Sequence, residues 1–374
     1  MSGAPRVALL LGGGGARAAY QVGVLKAVAE ILPAGAGNPF PVICGSSAGG
    51  INAAVLACHA MQFQEGVRRL VGVWENFRVH HVFRADAWSA LSRSSRWLFA
   101  MLTGGAWSGP RSILDVSPLR TLLAGHVAFD RIGRAIGDSA LQAVCVTASS
   151  YTSGRSISFY QGAEELGDWS RARREGRRTR LGLDHLMASA SIPILFPAVA
   201  IGSEYYGDGS MRQNAPVSPA LHLGADRVLV IGVRREADPP APEEADAGYP
   251  GVGQIAGYIL DTLFLNSLSA DLERLERVNR TLSHVQDLDR TPLRRIDTLL
   301  ISPSRDLAAI AEPLYHLFPA SIRYLLAVLG ARRGSGRRLM SYLLFERQFC
   351  QTLVDLGYRD AMERESEIRE FLQA

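Results

Sequence analysis

Gly45, Ser47 and Gly49 stand in the stretch CGSSAGG at Gly-x-Ser-x-Gly spacing. Small flanking residues at that spacing let a strained strand-to-helix turn push one hydroxyl out above a sheet. The spacing selects Ser47 over its neighbour Ser46 as the candidate nucleophile. A second chemical hint is Asp208 in EYYGDGSMRQN, although Asp followed by Gly ordinarily marks a hairpin turn. The third is the glycine tract Gly12–Gly15 behind the apolar run RVALLL. Three uses compete for it. A phosphate-binding P-loop is excluded, because no Gly-Lys-Ser/Thr follows. A dinucleotide fingerprint is met formally by Gly13, Gly15 and Ala18, yet the strand that should present an acidic residue to the ribose reads PVICGSS. An oxyanion hole, with glycine N–H groups aimed at charge developing on a carbonyl oxygen, is the remaining use.

The elements around these residues follow from hydrophobic periodicity. Arg6–Leu11 has the pattern of a buried strand, and ARAAYQVGVLKAVAEIL after the glycines places Val22, Leu25 and Leu32 on one helical face. Pro41–Cys44 predicts a second strand, with a helix from Ala48 carrying Ile51, Val55 and Leu56. Strand, loop and helix twice over predict a parallel α/β sheet. In such a sheet the strand-to-helix loops gather at one edge, which brings the glycine tract and Ser47 into a single site. Further strands are expected at Leu141–Ser149, Ser156–Tyr160, Arg227–Val233 and Ile296–Ile301, and LMASASIPILF reads as tight packing of small residues. Residues 62–127 carry Trp74, Phe77, Trp88, Trp97 and Trp107 in a mostly helical pattern, either core or a cap over the site. EADPPAPEEADAGYP is a linker composition, and long helical patterns follow it.

Composition narrows the classes. The chain of 374 residues has a net charge of +4, and Lys26 is its only lysine among 40 basic residues. Arginines cluster at Arg171–Arg180 and Arg332–Arg338, as solvated loops or as contacts for phosphate or an anionic membrane surface. No recognition helix, zinc module or stacking signature accompanies them, so nucleic acid is not an expected partner. Cys44, Cys58, Cys145 and Cys350 lack Cys-x-x-Cys spacing and read as reduced core residues. No signal-peptide pattern and no membrane-span-length apolar stretch is present, which predicts a cytoplasmic protein with at most peripheral membrane contact.

Taken together and in order, LGGGGARAAYQVGVL, CGSSAGG and YYGDGSMRQNAPV resemble the patatin-like phospholipase family. The resemblance implies an α/β three-layer sandwich with a mostly parallel central sheet. A helical cap insertion at about 62–127 and a C-terminal helical extension would be added to it. The catalytic domain would cover residues 5–235, the linker 236–253 and the mainly helical extension 254–374. It implies that Ser47 attacks an ester with Asp208 as its partner, and that Gly13, Gly14 and Gly15 form the oxyanion hole with Arg17 supporting the loop or its anion. Gly45 and Gly49 would flank the nucleophile elbow. Ser210 and Ala18 depart from the family's usual small residues at those positions, leaving the catalytic groups intact. The implied activity is that of a phospholipase A or lysophospholipase, with a phospholipid or lysophospholipid as substrate and no metal or organic cofactor. Oligomeric state stays open. A rival α/β-hydrolase reading adds His222 to Ser47 and Asp208 as a triad, and a second rival is a non-enzymatic nucleotide binder using the glycine loop.

Overall fold

In the computed structural model, residues 5–84, 112–235, 252–287, 291, 293–328 and 336–373 are described. The apolar run Val7–Leu11 forms strand β1, buried along its whole length. β2 (Val42–Ser46) and β3 (Ala143–Ser150) are likewise buried throughout. Continuous burial is what a strand covered on both faces requires. The remaining strands are β4 (Ser156–Gly162), β5 (Trp169–Arg171), β6 (Arg174–Arg178), β7 (Val199–Ile201), β8 (Glu204–Gly207), β9 (Arg227–Ile231) and β10 (Asp297–Ile301). One sheet runs in the order β10-β9-β1-β2-β3-β4-β6-β5, with β8 pairing β3 and β7. The pairs from β10 to β3 are all parallel, and β4 with β6 is parallel as well. β3 pairs antiparallel with both β4 and β8.

Successive strand residues point to opposite faces, and the core divides accordingly. Leu9, Leu11, Ile43, Val144, Val146, Leu229 and Ile231 belong to one apolar layer. Ala8, Leu10, Val42, Cys44, Cys145, Val228 and Val230 belong to the other. The first layer is covered by α1 (Ala19–Ile31), α2 (Ala48–Cys58) and α3 (Phe63–Trp74). The helix Ser218–His222 and residues of the long helix Val252–Leu282, among them Leu268, Leu272 and Leu275, cover the second. This is an α/β fold with a mixed, mostly parallel sheet between helical layers, together with C-terminal helices.

Those C-terminal helices are built into the core. A Cβ at Gly23 of α1 would lie 2.0 Å from the Val354 carbonyl oxygen, and one at Gly357 would lie 2.2 Å from that of Tyr20. The two glycines therefore let α1 and the helix Arg347–Met362 touch backbone to backbone. Tyr20 Oη donates to Asp360 Oδ2 at 3.0 Å, and Ser304 Oγ donates to Asp360 Oδ1 at 2.6 Å. The expected strand at Ile296–Ile301 is β10, at the sheet's end. The arginine run 171–180, expected as a solvated loop, instead supplies β6 and the last residue of β5. Its Arg177 pairs with Glu175 and Glu204, and Arg178 donates to the carbonyls of Gly162 and Ala163. Much of the aromatic segment within 62–127, including Trp88, Trp97 and Trp107, lies outside the described residues. All four cysteines are buried and free.

Candidate active site

Ser47 sits between β2 and α2 with φ 53° and ψ −131°, a conformation L-residues seldom adopt. Both flanking glycines are explained by close approach. A Cβ at Gly45 would lie 2.4 Å from the Gly49 carbonyl oxygen, and one at Gly49 would lie 2.3 Å from the carbonyl oxygen of Leu11. The Ser47 N–H donates to Ser189 Oγ at 2.8 Å, and Ser189 Oγ donates in turn to the Thr147 carbonyl at 2.6 Å. The serine turn is thus tied to β3 through a residue that sequence reasoning saw only as packing. The run of small residues around it, MASAS, was the one available signal.

Asp208 arrives at the same edge through the sheet register. Ser46 stands opposite Thr147, and two rungs further along β3, Ser149 stands opposite Gly207. Gly209 then passes so close to β3 that a Cβ there would lie 2.0 Å from the Thr147 carbonyl oxygen and 3.2 Å from Ser46 Cβ. The Asp-Gly pair is therefore a point of close backbone approach and not the hairpin turn its composition suggests. The Asp208 N–H donates to the Ser191 carbonyl at 2.9 Å. Its Oδ1 accepts the Ser210 N–H at 2.9 Å, and its Oδ2 has no hydrogen-bond partner among the described residues. The side chain is fully buried. Burial pushes the carboxyl up to about 6, against the pull of the Ser47 hydroxyl and of the Ser210 N–H. The Ser210 hydroxyl is buried and has no hydrogen-bond partner among the described residues.

The glycine tract links β1 to a 3-10 turn, Gly15–Ala18. Gly15 has φ +54°, and a Cβ there would lie 2.3 Å from the Tyr342 carbonyl oxygen, so no other residue fits. The Gly12 carbonyl accepts Gln21 Nε2 at 2.8 Å. Gln21 Oε1 accepts Asn52 Nδ2 at 3.1 Å, and Asn52 Oδ1 accepts the Trp74 indole N–H at 2.9 Å. Single polar residues on apolar helices carry no periodic signal, and Gln21 and Asn52 went unnoticed in the sequence. Arg17 is buried and directed at the helix Gly336–Leu343. Its Nε donates to Ser341 Oγ at 2.8 Å, and its guanidinium lies 4.1 Å from the centre of the Tyr342 ring.

A cavity of about 410 Å3 reaches both Gly15 and Ser47. It runs between α2, α3 and the helix Ser117–His126, and is lined by apolar side chains such as Ile51, Val55, Leu70, Leu119, Leu123 and Phe345. Trp74 and Phe77, stacked with ring centres 5.0 Å apart, line it as well. The α3 residues are thus both core and cavity wall. His222 is elsewhere. It stacks on Trp169 at 5.0 Å beside the second apolar layer, where burial and then Arg171, Arg174 and Arg294 hold its imidazole down to about 4. No described hydrogen bond joins a histidine to Asp208. His59 does line the cavity, but its Nδ1 faces the Val55 carbonyl at 3.0 Å and its Nε2 faces Arg131 at 3.3 Å. Among the described residues no group of three or more His, Cys, Asp or Glu side chains is placed to share a metal ion.

Residues 9–221 match the family model of the patatin-like phospholipases, more than half of the chain. The chain belongs to that family, a class of lipid ester hydrolases. It is 28% identical over 228 residues to the lysophospholipase nte1 of Aspergillus niger and 27% identical to that of Aspergillus terreus. Each alignment covers 61% of this chain and 12% of the relative, so the chain spans a small part of those proteins' length. Among solved structures, VipD from Legionella pneumophila superposes with a TM-score of 0.40 at 12% identity, covering 98% of this chain and 67% of that one.

Proposed function

We propose that this protein is a serine lipid acyl hydrolase of the phospholipase A or lysophospholipase type, in which Ser47 and Asp208 act as a catalytic dyad. The observation that carries the reading is the position of Ser47 at an apolar cavity, with the fully buried Asp208 carboxyl brought to the same sheet edge and one of its oxygens left without a partner among the described residues. A base is most effective when its pKa lies near the working pH. Asp208 accepts the Ser47 proton as Oγ attacks the ester carbonyl, and the tetrahedral oxyanion is met by N–H groups of the Gly13–Gly15 loop. One such donor is worth roughly 3 to 4 kcal/mol. The proton passes to the departing alcohol, leaving an acyl-enzyme. Water, deprotonated by Asp208, then attacks the acyl carbon and releases the fatty acid and Ser47. The cavity suits an acyl chain, since its lining offers dispersion contacts and few polar groups. The helix that should present a triad histidine puts His222 against Trp169, which favours the dyad over the triad.

No described helix is long and apolar enough to cross a membrane. The reading includes a cytoplasmic enzyme that meets its substrate peripherally. The test is hydrolysis of p-nitrophenyl esters of increasing chain length and of lysophospholipid vesicles, with EDTA present, by the wild type and by Ser47→Ala, Asp208→Ala and His222→Ala. The expected result is activity that survives EDTA, disappears in the first two variants and persists in the third. Full activity in folded Ser47→Ala would sink the reading, and loss in His222→Ala would restore the triad.

A further inference from the structure

A loop of consecutive glycines has a problem built into it. The freedom that lets its backbone approach a substrate also lets its peptide planes rotate, because neither neighbour of the plane has a Cβ to resist. A donor N–H on such a loop is useful only if something holds its peptide in one orientation. The Gly12–Gly13 peptide is held from behind. Its carbonyl accepts Gln21 Nε2 at 2.8 Å. In a planar trans peptide the N–H points opposite to the C=O, so this bond directs the Gly13 N–H away from Gln21.

The polarity of the chain behind Gln21 is locked at both ends. An indole N–H can only donate, so the atom of Asn52 facing Trp74 at 2.9 Å must be Oδ1. Asn52 Nδ2 then faces Gln21 Oε1, and Gln21 Nε2 is left to face Gly12 O, which can only accept. Gln21 and Asn52 are fully buried and Trp74 is 4% exposed, so water does not compete for the bonds among these three side chains. Asn52 and Trp74 also line the cavity at Ser47.

We infer that Gln21 is a positioning residue that aims the Gly13 N–H at the developing oxyanion, with Asn52 and the Trp74 indole N–H fixing the orientation of its amide. This rests on the hydrolase reading. It adds to that reading a link between the wall of the acyl cavity and the glycine loop: Trp74 contacts the chain with its ring and steers the loop with its N–H.

The experiment compares the wild type with Gln21→Met, which keeps length and volume without a donor, and Trp74→Phe, which keeps an aromatic ring without the N–H. Four quantities are measured on folded protein. They are kcat and KM for a medium-chain p-nitrophenyl ester, the affinity for a trifluoromethyl ketone of the same chain, and the affinity for the corresponding unreactive ether. The ketone forms an oxyanion on a serine and the ether does not. For Gln21→Met the expected result is a fall in kcat of about tenfold to a hundredfold, with an equal weakening of the ketone. KM and ether affinity should stay near the wild-type values. Trp74→Phe should move the same quantities in the same direction by less, and it carries the comparison if Gln21→Met does not fold. Wild-type kcat in both variants, or equal weakening of ketone and ether, would overturn the inference while leaving the hydrolase reading in place. A wild type with no Ser47-dependent hydrolysis would remove both.

Discussion

The backbone N–H of Ser47 donates to the hydroxyl of Ser189 at 2.8 Å, across 142 residues of sequence. Because Ser189 Oγ also donates to the Thr147 carbonyl at 2.6 Å, the serine turn is anchored to the neighbouring strand on its inner side. A non-glycine residue in a sparsely populated backbone region costs about 1–3 kcal/mol and persists only when its surroundings over-determine it. Here the determinants are this bond and the glycine contacts at Gly45 and Gly49.

Ser189→Ala should therefore leave a buried N–H without a partner and lower stability by about 1–3 kcal/mol. Urea denaturation reads this as a lower midpoint at unchanged slope, and ester hydrolysis at saturating substrate should fall because the elbow is less well held. Unchanged stability would mean that the glycine packing alone maintains the turn.

The acid limb of activity should report Asp208. A carboxyl that must accept a proton works only when ionised, and burial raises this one to about 6. kcat/KM is expected to level off above that pH and to fall about tenfold per unit well below it. A profile from mildly acid to mildly alkaline pH checks this. A limb close to that of an ordinary carboxyl would show that Asp208 is not the group being titrated.

The same shift has a stability consequence of opposite sense. Asp208 has a folded-state pKa above its unfolded value of 3.8, so the folded state binds the extra proton between about 4 and 6. The associated stability is fully present below the unfolded value and is lost as pH rises through the folded one. Above pH 6 the ionised carboxylate costs at most about 3 kcal/mol. Asp208→Asn should be inactive and more thermostable than the wild type at pH 8, with the gain shrinking towards nothing near pH 4. Thermal melts at the two pH values distinguish this from a substitution that is merely tolerated.

Arg17 ties the glycine tract to the C-terminal part of the chain. Arg17→Met keeps the bulk of the side chain but removes the bond to Ser341 and the charge over Tyr342. The expected loss is about 1.5–3 kcal/mol, the range for hydrogen bonds to a buried charged group. Residues 336–346 should become the first site of limited proteolysis. Unchanged protease resistance would show that the other contacts of that helix suffice.

The sheet was legible because its strands are short apolar runs between glycines and prolines, and because parallel order follows from strand, loop and helix repeating. The sequence pattern did not show that Arg171–Arg180 would extend the sheet. A charged run carries no period-2 apolar alternation, and its pairing depends on β4 lying alongside. Asp-Gly at 208–209 was ambiguous for a similar reason. The dipeptide is compatible with a hairpin or with close backbone approach, and only the Thr147 carbonyl at 2.0 Å from the missing Cβ decides between them.

What the amino-acid sequence determined by itself is the local chemistry: a serine at glycine spacing, a glycine loop ahead of a helix, and an aspartate followed by a glycine. These depend on backbone conformations that only certain residues allow, so residue type and spacing suffice to mark them. What only the tertiary structure decided is which distant groups complete the site. Ser189 beneath Ser47, the Gln21–Asn52–Trp74 chain behind Gly12, and Ser341 and Tyr342 beside Arg17 are brought in by sheet register and helix packing. Such contacts depend on where elements meet in space, a property that no stretch of sequence encodes on its own.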